Sequence, residues 1–195
     1  VKYAPPRYDV FSGCKMASLE FSASDDAQEL KVSAEAIAAL FAEGDAGDFG
    51  AADYADEVPL IYAGSSFTVG GATVKPKSFS LRIANSLEEG VYRTSQTRLQ
   101  LPETGREVNG RIELDQNADT YTAVMAQWRN DAYAEFQAVF TNGVYTMTVV
   151  CPNCRYPTER GKINRQGVIM MPATFEARAS GPGAADELTI YVTEL

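Results

Sequence analysis

The chain has 195 residues with 17 Lys and Arg against 26 Asp and Glu, a net charge of −9, and no histidine. That acidic field disfavours nonspecific attraction to DNA, RNA or anionic lipid, and the missing histidine excludes hydrolase triads and histidine-activated nucleophiles. An apolar fraction of 45% suits a sizeable core in one domain over residues 1–195. No apolar run approaches the ~20 residues of a membrane helix and no signal peptide opens the chain, so a soluble, non-exported protein is the expectation.

The opening KYAPPRYDVFSG has adjacent prolines and no periodicity, which reads as an extended arm over residues 1–13. MASLEFS alternates, with Ala17, Leu19 and Phe21 on one face and Ser18, Glu20 and Ser22 on the other, as in a half-buried strand. After Asp25-Asp26, QELKVSAEA carries Leu30 and Val32 at period two and returns as a hairpin. AEAIAALFAEG is ambiguous, because its alanines favour helix while its place after a strand favours continuation. Residues 41–58 contain no Lys or Arg and are built largely from Gly, Ala, Asp and Glu, the composition of a long acidic loop. A calcium loop is the sharper reading of its carboxylates, but their spacing does not match an EF-hand.

Strand signals resume at VPLIYAG and SSFTVGGATV, with a turn at Gly70-Gly71. KSFSLRIAN places Phe79, Leu81 and Ile83 inward and Ser80, Arg82 and Ala84 outward. REVNGRIELDQ alternates cleanly: Val108, Ile112 and Leu114 point to the core, Glu107, Asn109, Arg111, Glu113 and Asp115 to the other face. NADTYTAVMAQWRNDAY then changes period. Tyr121, Val124, Met125 and Trp128 fall at i, i+3, i+4 and i+7, so a core-facing helix is predicted, capped by Asn117 or Asp119. AEFQAVF and VYTMTVV flank an Asn142-Gly143 hairpin turn. In GVIMMPATFEARAS, Pro172 argues for an edge position or a bulge. DELTIYVTEL closes the set with Leu188, Ile190 and Val192 inward. Eight to ten short strands, one helix and one long loop specify a mainly β sandwich or barrel.

CPNC at 151–154 is the one motif with metal or redox connotations. A zinc knuckle needs two further ligands, and the chain has only Cys14 besides this pair. A redox dithiol belongs at a helix start in a βαβ setting, whereas this pair follows a β-branched run. The expected role is a loop between strands with Pro152 and Asn153 at its tip, closed by a local disulfide only outside a reducing cytosol. No metal, no cofactor and no enzymatic activity are expected.

The order of the late elements carries a resemblance. KSFSLRIAN, a loop, a strand with Arg106, Val108 and Gly110 in an R-x-V-x-G core, a helix after Asn117 and the closing TIYVTEL resemble the tail tube proteins of long-tailed bacteriophages, from about Phe11 to the C-terminus. The resemblance implies a two-sheet β-sandwich with a flanking helix that assembles as a homo-hexameric ring, its inner sheets joined into one continuous barrel. Stacked rings would form the virion's tail tube, assembled in the host cytoplasm, conducting DNA without specific binding and without a membrane partner. It also implies a tape measure protein and a tail terminator as partners. It turns Glu107, Asn109, Arg111, Glu113 and Asp115 toward the lumen, a face that strand pattern alone would leave as ordinary solvated surface. It makes Asp45, Asp48, Phe49, Asp53 and Tyr54 of the long loop candidates for contacts between rings. The insertion between Phe41 and Val58 and the CPNC segment depart from the family pattern. The competing readings are a secretion-system tube, a tail terminator ring, a calcium-supported carbohydrate-binding sandwich, and a glycosidase with two facing acids.

Overall fold

The computed structural model describes residues 8–44, 58–88, 101–115, 124–127, 132–157, 170–181 and 186–194. These residues are mainly β, with twelve strands among them: β1 (Tyr8–Ser12), β2 (Lys15–Ser24), β3 (Lys31–Ile37), β4 (Leu40–Gly44), β5 (Ile61–Val69), β6 (Ala72–Val74), β7 (Pro76–Leu87), β8 (Glu103–Asp115), β9 (Ala134–Thr141), β10 (Tyr145–Arg155), β11 (Met170–Ala177) and β12 (Thr189–Glu194). β1 pairs with β4 as a two-stranded sheet. The other ten form a single sheet in the order β3-β2-β7-β8-β11-β10-β9-β5-β6, with β12 joined to β10.

Two strands appear, one where the sequence suggested none and one at the end of the ambiguous stretch. Residues 8–12 of the expected 1–13 arm form β1, and residues 40–44, at the start of the expected 41–58 loop, form β4. Each supplies the other's missing backbone partner, from Tyr8 opposite Gly44 to Ser12 opposite Leu40. The ambiguous alanine-rich stretch is extended, because β3 gains a ladder against β2, and that pairing outweighs the helix preference of alanine. The rest of the acidic loop, including Asp45, Asp48, Phe49, Asp53 and Tyr54, lies outside the described residues.

The described residues fall into two compact units. One holds 8–19, 34–44, 84–88 and 101–106. Within it, Arg106 Nε donates to Asn85 Oδ1 at 3.1 Å, and Asn85 Nδ2 donates to the Met16 carbonyl at 3.0 Å, a relay across β8, β7 and β2. Lys15 and Glu103 add an exposed ion pair at 3.2 Å, worth little on its own.

The other unit, 20–33, 58–83 and the described residues from 107 onward, contains the aromatic core. Phe67 of β5, Phe79 of β7, Phe136 and Phe140 of β9, and Phe175 of β11 are all nearly fully buried. Phe79 stacks on Phe136 with centroids 5.8 Å apart, and Phe67 meets Phe140 edge-on at 5.6 Å. Strands distant in the sheet order thus face one another through their rings. Each buried Phe contributes roughly 1.5–3 kcal/mol by burial, and ring pairs add about 0.5–1.5 kcal/mol.

Turn chemistry follows the sequence. Gly70 and Gly71 have φ of 56° and 80° and join β5 to β6, the geometry of a two-residue hairpin that glycine adopts without strain. At the β9–β10 connection, Asn142 Oδ1 accepts from the backbone of Val144 at 3.0 Å and of Tyr145 at 2.7 Å, an Asx turn. Only residues 124–127 of the expected helix are described; they are helical, with Val124 buried and Met125 half-buried, while Tyr121 and Trp128 lie outside. Among the described residues no helix is long and apolar enough to cross a membrane.

Three placements add to or correct the sequence reading. Val192, expected to face inward, is 67% exposed, and Val32, at period two with Leu30, is 57% exposed. Val192 is paired with the buried Met147, so it has the right face but sits on a strand that pairs only with β10 and has nothing over it among the described residues. Val32 stands on β3, a terminal strand of the sheet whose residues are exposed from Lys31 to Ala36. Third, CPNC is no loop tip; it lies inside β10.

Gly110 is the position where the core geometry is least forgiving. It lies opposite Phe175 in the β8–β11 ladder, and a Cβ there would meet Phe175 Cζ at 2.0 Å. The ring occupies the space that any other residue would need. Phe175 cannot swing aside freely, since its centroid is 4.4 Å from Phe136 and 5.8 Å from Tyr156. We expect Gly110→Ala to destabilise the fold by about 1–3 kcal/mol through overpacking, read as a lower denaturant midpoint at unchanged slope; an unchanged midpoint would show that the ring can move.

Candidate functional site: the polar face of β8 and β11

The site is built by period-two alternation on two adjacent strands. In β8, Val108, Gly110, Ile112 and Leu114 are buried, while Glu107, Asn109, Arg111 and Asp115 are exposed and Glu113 is half-buried. β11 runs antiparallel beside it and brings Glu176 opposite Asn109, Thr174 opposite Arg111 and Pro172 opposite Glu113. The five sequence-predicted residues therefore share one face, as expected. Pro172 keeps a ladder partner on its β8 side, while β10 pairs with β11 only at Cys154–Ala177 and Arg155–Glu176. Among the described residues its missing N–H faces no ladder on that side.

Sequence reasoning missed the neighbours that complete this face. Glu20, Ser80, Arg82, Thr174 and Glu176 join Asn109 and Arg111 around a shallow groove of about 470 Å³ whose floor is Gly110 and Phe175. Their outward alternation was readable strand by strand; which strands lie side by side was not. The charges are arranged in pairs. Arg111 Nη2 is 3.3 Å from Glu113 Oε1, and Arg178 Nη2 is 3.0 Å from Glu176 Oε2. The hydrogen bond that Arg178 donates to Glu176 raises the guanidinium further above an already high pKa, so it is a permanent cation.

The CPNC segment is the other place where chemistry was conceivable. Cys151 pairs with Phe136 and Cys154 with Ala134, so β10 spends two residues, Pro152 and Asn153, where β9 spends one. This bulge turns both thiols to the buried side, whereas residues three apart on a regular strand would point to opposite faces. Both are free thiols with no measurable exposure. Cys154 Sγ donates to the Cys151 carbonyl at 3.4 Å. Its thiol pKa is pushed far up, first by the hydrogen bond shared with the Cys151 side chain and then by burial. A neutral, buried thiol is a poor metal ligand and a poor nucleophile. The bulge does structural work instead: β10 pairs with β12 over Tyr145–Val150 and with β11 only from Cys154 onward.

Beside these thiols, the Tyr156 hydroxyl is buried without a hydrogen-bond partner among the described residues. Its pKa is raised strongly by burial and then by Cys154, and that of Tyr62, whose hydroxyl donates to the Pro76 carbonyl, is raised by burial and then by Asp25. Folding thus holds protons on three groups that the unfolded chain releases at ordinary thiol and phenol pKa values. Above about pH 9 the unfolded state binds fewer protons, so stability falls as pH rises, by at most ~1.4 kcal/mol per group and pH unit. Tyr156→Phe should flatten that decline and leave stability at neutral pH equal or about 1 kcal/mol higher, since it removes an unpaired hydroxyl. Urea titrations between pH 7 and roughly pH 10.5 read both effects; an unaltered decline would contradict the assignment.

Among the described residues, no group of three or more Cys, Asp or Glu could hold a metal ion. No curated protein matches the chain significantly. The family model for phage tail tube proteins matches residues 2–179, nearly the whole chain and including β1 to β11. A mainly β chain matched over that span, with its R-x-V-x-G strand seated against Phe175, belongs to the phage tail tube protein family.

Proposed function

We propose that this chain is the structural subunit of a phage tail tube, assembling as stacked hexameric rings that conduct DNA from capsid to host cell. The observation that carries this reading is an exposed edge within a family-matched β fold: β3 ends the large sheet, pairs only with β2 among the described residues, and is exposed from Lys31 to Ala36. An exposed strand edge is a template for uncontrolled pairing unless assembly uses it. Joining copies by a rotation that closes gives a ring, and closing a sheet across subunits removes its edges. In this reading the ten-stranded sheet is the two-sheet sandwich whose inner layers fuse into one barrel.

The face of Glu107, Asn109, Arg111, Glu113 and Asp115 lines the lumen. Its excess of carboxylates repels phosphates, whereas a basic wall would bind DNA by counterion release and stall it. Asp45, Asp48, Phe49, Asp53 and Tyr54 make the contacts between rings. A tape measure protein and a tail terminator are the partners within the virion, assembly takes place in the host cytoplasm, and the chain performs no catalysis. The related readings, a secretion-system tube or a terminator ring, share the subunit fold and differ in filament length.

Negative-stain electron microscopy of the purified chain tests the proposal. Rings or tubes with a central hole are expected, and a monodisperse monomer at high concentration contradicts it. Val32→Asp should leave the circular dichroism spectrum and melting midpoint near those of the wild type, since the side chain is 57% exposed, yet prevent tubes from forming. Normal tubes from that variant would remove β3 from the joint.

A further inference from the structure

The polar face carries Arg82, Arg111 and Arg178, whose situations differ, and Arg155 lies opposite Glu176 in the β10–β11 ladder. Arg111 and Arg178 are each engaged by a glutamate two residues away on the same chain segment, Glu113 and Glu176, at 3.3 Å and 3.0 Å. Side chains two apart on a strand project to the same side, so this spacing keeps each pair together whatever the assembly does. Arg82, on the neighbouring groove wall, has no ion pair among the described residues. All four paired side chains are between 38% and 51% exposed. Pairs that open to water add little to stability, so holding the fold together does not account for them.

What such pairs do change is how the face meets an anion. A guanidinium presents a planar fork that fits a phosphate as well as a carboxylate. Each cation that neutralises a DNA phosphate releases condensed counterions and strengthens binding. A guanidinium already held by a carboxylate offers neither its charge nor its fork. A face of carboxylates alone would repel DNA too, but it would also repel itself where copies converge; interleaved pairs avoid that.

We propose that Glu113 and Glu176 are guard residues that keep Arg111 and Arg178 occupied, so that duplex DNA brought against this face is not held. The proposal deepens the tube reading above, on which the presence of DNA at this face rests, but the guarding itself is a property of the chain in solution. Glu113 and Glu176 act through the arginines beside them and are therefore positioning residues for a non-adhesive surface. Arg82, on β7 beside β8, is one cation and too few to hold a duplex alone; freeing Arg111 and Arg178 adds two more cations to this side of the sheet.

The test is fluorescence anisotropy of labelled duplex DNA at low ionic strength, with the wild type and the double variant Glu113→Gln, Glu176→Gln. Both substitutions are at half-exposed surface positions, and circular dichroism verifies that the fold is kept. The wild type should not bind measurably, and the double variant should bind at least about tenfold more tightly, losing affinity steeply with added salt. Adding Arg111→Gln and Arg178→Gln should cancel the gain. The proposal is overturned if the wild type binds as well as the double variant, if the double variant gains nothing, or if the gain survives removal of both arginines. Tubes seen by microscopy together with any of those results sink the guards alone; their absence sinks the tube reading and leaves the guards standing.

Discussion

Among the described residues strand β3 has a neighbour on one side only, and the open backbone on its other side is the constraint from which the rest of this account follows. Backbone N–H and C=O groups in a sheet demand partners, and an exposed, straight edge promotes association. Here the edge carries Val32 in the open and few of the devices that blunt such edges. Lys31 and Glu35 are its charges, at and beyond the ends of a run of small and apolar residues. In the proposed assembly a second copy pairs with this edge and satisfies it.

That use of an edge requires the rest of the sheet to be rigid. The stiffness comes from the aromatic cluster and from a single glycine. Phe175 lies over Gly110, tying β11 to β8, and its contact with Phe136 ties both to β9. The polar face is the reverse side of the same residues: wherever the core places a Phe or Ile inward, period two places Thr174, Arg111 or Glu176 outward. The floor of the groove and the anchor of the core are therefore one structure. The bulge at Cys151–Cys154 serves the same end, letting β10 leave β12 and reach β11.

Much of this was legible in the residues. The alternation of Glu107 to Asp115, the Gly70-Gly71 and Asn142-Gly143 turns and the inward Phe79 and Leu81 each follow from local pattern, and the structure places them so. What was not legible depends on partners far away in sequence. β1 and β4 are strands only because they find each other, with Val10 opposite Ala42 at their centres; neither has a pattern strong enough to be read alone. Val32 and Val192 have the right period and the wrong environment, because alternation tells which side a residue faces and not whether anything covers it. The CPNC segment misled because Pro and Asn are turn formers, yet a bulge tolerates them equally well. The grouping of Arg82 and Glu176 with Arg111 needed the strand order β7-β8-β11, which no single segment encodes.

Hydrogen exchange of β3 measures the central claim most directly. Amides from Lys31 to Ile37 should exchange rapidly on the outer edge of the unassembled chain and become protected, by at least about tenfold, in the assembled particle, where a neighbour's backbone accepts from them. Equal exchange of those amides in both states, with protection gained elsewhere on the surface, would show that copies join by some other part of the molecule.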